Sequence, residues 1–434
     1  MPGAGDRPNH HPTRPQRVWR GPAMTTSENT RTCPVSPEVA QAAAAFHLFD
    51  PEMDPHALLG TFREQCPVAR SEQLDGFWVV TRHADIQHVL KNPETFSSGH
   101  GNSIPPVFDP IGTWIPLHFD PPEHGKFRRD LNANFLPQKV ASMEDDIRAQ
   151  ARKYLNAIVE RGHGELVWEV CVPYPSMTFL VMLGAPVEDV ETLLNWKNMN
   201  MIGMSGDPDA EEYVDEFIRP EYMAYFNALL DERVNSDNPP DDILTALTRA
   251  NYGDRPFTRD EMLRVCTTLM IAGLDTVTAA LTWTFHFLAT NPGHRQQLID
   301  DRSLIPSAVE ELNRYFGIVS VARRATQDAV VGEQAIKQGD WVLCTLPSAG
   351  RDAAEFPDAE TVDFHRSPNR HIGFGTGPHR CLGIHLARLE MRVLLEEMVK
   401  IMPHFELAPG CKPGFQNGIV ISIDDLEIVV TDGS

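Results

Sequence analysis

Positive charge is scarce in this chain. Against 60 Asp and Glu stand only 38 Lys and Arg, a formal net charge of −22, which argues against nucleic acid or an anionic membrane as a main partner. Cysteine is scarce as well. There are seven (33, 66, 171, 266, 344, 381 and 411), odd in number, scattered and without a C-x-x-C pair. That pattern argues against a disulfide framework or zinc ribbon and fits a reducing cytoplasm. Most of these thiols should be buried as small apolar side chains. There is no internal repeat, and no low-complexity linker after residue 40. The first 34 residues, MPGAGDRPNHHPTRPQRVWRGPAMTTSENTRTCP, lack the apolar run of a signal peptide, and their prolines spoil an amphipathic transit helix. They read as a disordered tail, 1–34, ahead of one domain, 35–434. Met24 stands as a second candidate start, because the composition turns conventional only after it.

What is present is an ordinary globular composition, 42% hydrophobic and 23% charged over 434 residues, enough for a sizeable core. Strand-like runs are few: FWVVT (77–81), DWVLCTL (340–346), and GIVISI and LEIVVT near the C-terminus. The expected fold is therefore mainly α with a small β region. The longest helix has a clear start, with Thr258 and Glu261 as a capping box and Phe257 with Met262 as a hydrophobic staple. No proline follows until Pro292, so one helix of roughly 48 Å is expected over 259–290. Its middle, VCTTLMIAGLDTVTAALTWTFHF, is apolar enough to suggest a membrane span, but it holds Asp275, His286 and six threonines. An Asp at a span centre costs about 2.5–3.5 kcal/mol, so a buried central helix is favoured.

Two more helices follow. Pro292 after Asn291 marks one start. Ser307 and Glu310 suggest a second capping box opening SAVEELNRYF, with Gly317 as its end. Glu311 and Arg314 then share a face, which by itself reads as a surface ion pair of roughly 0.3 kcal/mol.

The densest signal is FGTGPHRCLG, residues 374–383, in which three glycines and a proline surround Cys381. LGIHLARLEMRVLLEEMVKIM follows as an amphipathic helix stopped at Pro403. Cys381 therefore sits near a helix N-terminus, where unpaired N–H groups and the dipole favour a thiolate. The glycines let the backbone turn tightly against a flat ligand. Three readings stay open on these residues: a structural cysteine, a zinc site with His385, and a haem-thiolate site, which needs one axial sulfur and basic groups for two propionates.

F-G-x-G-x-H-x-C-x-G resembles the haem-binding signature of the cytochrome P450 superfamily, here Phe374, Gly375, Gly377, His379, Cys381 and Gly383. The same family carries A-G-x-D-T in its central helix, matched by Ala272, Gly273, Asp275 and Thr276. Its E-x-x-R motif matches Glu311 and Arg314, with Arg366 in FPDAETVDFHR as the third member of a structural ion network. DPPEHGKFRR resembles the bacterial helix that holds a propionate, so His124 and Arg128 carry over, and Arg323 falls where a further propionate arginine is expected. The motifs occur in family order, and the resemblance, to soluble bacterial members of the camphor and terpene hydroxylase type, covers most of residues 40–430. One departure is that the stretch 101–119 has no tyrosine of the kind that relatives use to bind substrate.

The resemblance implies the cytochrome P450 fold, haem b (iron protoporphyrin IX) with Cys381 as metal ligand, and insertion of one oxygen atom from O2 into an unactivated C–H bond. Thr276 and Asp275 would serve the distal side as hydrogen-bond donor and proton relay. Their structural alternatives are a threonine bonded back to a helix carbonyl and a buried paired carboxylate. Pocket candidates are Trp114, Ile115, Leu269, Ala272, Val319, Val321, Ile419 and Val420, suited to a terpenoid, a branched fatty acyl chain or a steroid. Electrons would come from a ferredoxin and its NAD(P)H-dependent reductase. Residues 364–381, with three arginines, three histidines and no acid, and Lys126 and Arg129 would form the docking face. A cytoplasmic monomer without membrane anchor is implied. Two other function classes remain: a peroxide-driven haem-thiolate peroxygenase, and a non-catalytic haem sensor or ligand carrier.

Overall fold

The structure, a computed structural model, describes residues 36–50, 53–105, 114–204 and 207–431. The expected tail 1–34, with Met24, lies outside them. The described residues form a mainly helical body with small sheets. A five-stranded sheet has the order Val68–Ser71, Phe77–Val80, Trp341–Thr345, Ser320–Ala325, Phe96–Ser97. The two strand-like runs FWVV and WVLCT are its centre, paired in parallel with Val342 opposite Trp78. Both are apolar except for Thr345, whose hydroxyl donates to Val80 O at 2.8 Å, because both sheet faces are covered. The C-terminal signals yield less strand than expected: Ser422–Ile423 in a two-stranded ribbon, and Glu427–Val430 between Phe405–Leu407 and His163–Glu165.

Period two along Ser320–Ala325 decides what the sheet presents inward. Val321 and Arg323 share one face, and Arg324 takes the other, its guanidinium 5.8 Å from the Trp341 ring centroid. Val319, one step upstream, faces the same way as Val321.

The capping box of Thr258 and Glu261 is formed as expected, and Phe257 and Met262 are both buried. The long helix is not continuous, however. It divides into Arg259–Gly273 and Thr276–Thr290, with Leu274 and Asp275 between them. Gly273 is required there by a close approach: a Cβ would stand 2.4 Å from the Phe179 ring. The Thr276 hydroxyl donates to Ala272 O at 3.1 Å, occupying a carbonyl at the break. By length and composition Arg259–Thr290 could cross a membrane, yet 78% of its most apolar window is buried inside the fold.

A second correction concerns Ser307 and Glu310. The helix begins earlier, Ile305–Phe316, so Ser307 lies inside its first turn and bonds back to Leu304 O at 2.9 Å. Pro306 suits the start because its missing N–H would be unpaired there anyway. Glu310 reaches out instead, accepting from Arg388 Nε at 2.7 Å. Gly317 ends the helix at φ +45°, as expected. Pro292 opens its helix, while Asn291 donates back to Phe287 O at 2.9 Å rather than capping the new one.

Glu311 and Arg314 are not a surface pair. Both are fully buried. Glu311 Oε1 accepts from Arg314 Nη2 (2.7 Å), Asp363 N (2.8 Å) and Arg366 Nε (3.1 Å), and Oε2 accepts from Arg314 Nε (2.8 Å) and Asn369 Nδ2 (3.0 Å). Arg314 also donates to the carbonyls of Gly350, Ala359 and Thr361. The tie locks the segment 350–369, which leads to the cysteine loop, onto helix Ile305–Phe316. Gly350 has no room for a side chain, since a Cβ would overlap Arg314 O.

Candidate functional site

The cysteine loop turns twice. Gly375 and Gly377 adopt φ +70° and +71°, a region closed to most side chains. At Gly377 a Cβ would also strike Leu90 O at 2.4 Å. The turns bring Cys381 back to Phe374, whose carbonyl accepts the Cys381 N–H at 2.9 Å. Cys381 lies three residues ahead of helix Ile384–Ile401, with Gly383 at the cap position. Its exposure is to an interior cavity of about 310 Å³, which it lines together with Phe374, Gly375, His379 and Gly383. Burial pushes the free thiol up, opposed by the Gly383 backbone N–H and the charges of Arg128, Arg380 and Arg388. Beside Gly383 a Cβ would meet no atom within 4 Å, and beside Gly375 only His379 O at 3.9 Å, so the cavity lining is open at both positions.

One end of the cavity is basic. Arg323 and Arg128 line it, with no ion pair for either among the described residues. Arg323 is buried and, among the described residues, donates only to its neighbour's carbonyl, Ala322 O, at 2.7 Å. Arg128 ties the helix Glu123–Asn132 to the cysteine loop through Arg380 O. His379 lies 4.2 Å from His124, centroid to centroid, and 2.8 Å from Ser98 Oγ through Nε2. Burial first, then Arg128 and Arg323, lowers His124 to about 4. Burial, Arg323 and His124 lower His379 to about 2. His124 Nε2 is buried without a hydrogen-bond partner among the described residues. Two cavity-lining guanidinium groups without an ion pair among the described residues, and the His124 imidazole packed on His379, make a donor set for carboxylates. With the thiol and the open glycines, the residues fit haem b, whose carboxylates this donor set would hold.

The far wall carries the acid and alcohol. Asp275 and Thr276 both line the cavity. The Thr276 hydroxyl is bonded to Ala272 O, the structural alternative raised from sequence, and it faces the cavity as well. Asp275 is paired: Lys197 Nζ, on helix Val190–Gly203, stands 2.7 Å from its Oδ1. Lys197 escaped the sequence reading. Its only signal is that it is the lone charge between Glu191 and Asp207.

Of the apolar candidates, Trp114, Leu269, Ala272, Val319, Val321, Ile419 and Val420 line the cavity. Ile115 does not. It is 1% exposed and packs into the core, while Pro116 and Leu117 take the inward positions. Sequence reading also missed Phe179 and the methionines Met182, Met201 and Met204, which complete the wall. It missed Glu390 too, whose buried carboxyl is pushed well up by desolvation and whose Oε1 has no partner. The zinc alternative has no support. His385 is exposed, away from the cavity, and no group of three His, Cys, Asp or Glu among the described residues could hold a metal ion.

Fold and site together define a haem-thiolate protein. Residues 208–418 match the family model described as Cytochrome P450. The chain is 32% identical over 396 residues to cytochrome P450-SU2 of Streptomyces griseolus, covering 89% of this chain and 94% of that protein. Among solved structures it resembles CYP101J2 (TM-score 0.80, 28% identity, 91% and 99% of the two chains). It also resembles CYP109E1 from Bacillus megaterium, solved in complex with testosterone (TM-score 0.79, 26% identity, 87% and 98%). The chain belongs to the cytochrome P450 family. It is an oxidoreductase, a haem monooxygenase, and its cofactor is haem b, held through a cysteine thiolate.

Proposed function

We propose that Cys381 is the axial thiolate and that the enzyme hydroxylates an apolar small molecule of the terpenoid, branched fatty acyl or steroid class. The observation that carries this reading is a single cavity joining Cys381, a basic carboxylate cradle, the pair Asp275–Thr276 and an apolar wall. No other described cysteine lines it. His124, Arg128, Arg323 and His379 would hold the propionates. When bound, the haem supplies activation of O2 and transfer of one oxygen atom to a C–H bond.

The protein's part is position, protons and water exclusion. Thr276 Oγ, at the helix break, can turn its hydrogen from Ala272 O toward the cavity. Asp275 exchanges a proton with solvent once its pairing with Lys197 loosens, so Lys197 sets when the relay is open. The intact pair favours O2 chemistry over direct use of peroxide, and a sensor or carrier would need neither residue. The apolar wall, and the testosterone complex of CYP109E1, support the substrate class.

Bacterial members of the family draw electrons from separate partners, and we read an acidic ferredoxin with its reductase as the supply here, meeting a monomer in the cytoplasm. Arg129, Arg370 and Arg380 are exposed, whereas Arg366, His371 and His379 are committed inside. Lys126 is partly neutralised by Glu123 at 3.1 Å and Arg129 by Asp130 at 3.3 Å, which leaves Arg370 and Arg380 as the main docking charges. The decisive measurement is the reduced CO spectrum of Cys381→Ser. Loss of the strongly red-shifted Soret band is expected, and its retention would overturn the assignment.

A further inference from the structure

Neutral hydrogen-bonding side chains are few in the cavity lining, and most are already engaged. Thr268 commits its hydroxyl to Arg264 O (3.0 Å) and Thr276 to Ala272 O (3.1 Å). Asn102 differs. Its backbone carbonyl is held by Ala322 N at 2.8 Å, and the residue lines the cavity. Its side-chain Oδ1 lies 2.9 Å from Nε2 of His118.

Which way this amide faces follows from the other nitrogen of His118. Nδ1 lies 3.2 Å from the backbone N–H of Trp114, which can only donate. Nδ1 is therefore the acceptor, so in the neutral ring the proton sits on Nε2. A donor at Nε2 requires the oxygen of Asn102, not its NH2, to face it. The ring is held neutral by burial and by the charge of Arg323, which together lower it to about 4. Trp114 stacks on it at 5.3 Å and 11°, fixing its plane. The two N–H donors of Asn102 are thus turned away from His118, and they have no partner among the described residues.

We propose that Asn102 is a specificity-determining residue that donates a hydrogen bond to an acceptor oxygen on an otherwise apolar substrate, and that His118 is the positioning residue that aims it. The substrate class narrows accordingly, from plain hydrocarbons to apolar skeletons carrying a ketone or ester carbonyl. This rests on the cavity being the substrate site of the monooxygenase. One neutral hydrogen bond in such a site changes Kd by about three- to tenfold.

The test titrates the purified holoenzyme with 2-adamantanone and with adamantane, which share a shape and differ by one carbonyl, reading the low-to-high-spin shift of the Soret band. The ketone should bind more tightly to the unaltered enzyme. Asn102→Leu, similar in volume but unable to donate, should lower the ketone-to-hydrocarbon affinity ratio about three- to tenfold, leaving adamantane affinity unchanged. His118→Phe keeps a ring against Trp114 but loses both hydrogen bonds, and it should lower the same ratio although Asn102 is intact. An unchanged ratio in Asn102→Leu overturns the proposal. So does a shifted Soret band or loss of haem in ligand-free Asn102→Leu, which would assign the amide to the haem carboxylates instead. The reduced CO spectrum of the same preparations reports on the haem-thiolate reading independently.

Discussion

Two buried clusters of charged and basic groups stand on either side of the cysteine loop, and they are built on opposite plans. Around Glu311, both carboxylate oxygens are filled by Arg314, Arg366, Asn369 and a backbone N–H, and the arginines' remaining donors end on carbonyls. Around Arg323, basic groups gather without a carboxylate in ion-pair contact among the described residues: Arg128 and His379 line the same cavity, His124 packs on His379, and the His124 Nε2 has no hydrogen-bond partner among those residues. The first cluster is complete within the chain. In the second, Asp120 acts on Arg323 and His124 only from beyond ion-pair distance, which leaves room for a bound anion to complete it. Burying unpaired charge is costly, so a fold keeps such a cluster where a ligand supplies the missing charge.

The largest expected effect comes from breaking the complete cluster. Glu311→Leu leaves Arg314 and Arg366 buried without their counter-charge, and should destabilise the fold by about 3–5 kcal/mol. Little soluble haem protein should accumulate, measured by expression and thermal melting. Arg323→Leu should act in the opposite sense on the metal-free chain, whose melting temperature should hold or rise because an unpaired buried cation is gone. Haem affinity should fall roughly tenfold or more, followed as transfer of haem to an apo-myoglobin acceptor. Equal damage to stability in both variants would erase the distinction between the clusters.

A group that is paired within the chain yet faces the cavity lies between the two plans. Thr276→Ala removes a hydroxyl whose present partner is Ala272 O. Haem content and ligand binding should barely change, while product formed per NADH oxidised should drop several-fold and hydrogen peroxide should rise. An unchanged ratio would leave Thr276 a structural threonine.

The smallest effect tests a base with buried ring nitrogens that does not line the Cys381 cavity. His56 lies edge-on to Trp283 at 5.0 Å, and neither ring nitrogen has a hydrogen-bond partner. Burial, then Arg351 and Arg63, holds it well below its usual value of 6.5. Below that value the unfolded chain takes up a proton that the native state refuses, so this site loses stability as pH falls. His56→Phe should therefore raise the melting temperature, by a few degrees more at pH 5.5 than at pH 8. A pH-independent gain would mean that the histidine costs packing alone.

Much of the chemistry was legible locally. The turn-forming glycines, Cys381, the Ala272–Thr276 run and the Thr258–Glu261 cap depend on residues a few positions apart, and backbone sterics act at that range. Ser307 and Glu310 have the same local form and failed, because Glu310 is claimed by Arg388 and His371 from elsewhere in the chain. The length of the central helix failed for a similar reason: the Phe179 ring packed on Gly273 belongs to another helix. Sequence by itself therefore determined which side chains could ligate, cap and turn, since those properties are carried by residue type and short spacing. Tertiary structure decided which charges are complete, that Lys197 meets Asp275, that Arg323 rather than Arg324 faces the cavity, and that His118 aims Asn102. Each of those depends on strand register or on contacts between residues far apart in the chain, and such contacts acquire their energy only when burial removes the competing water.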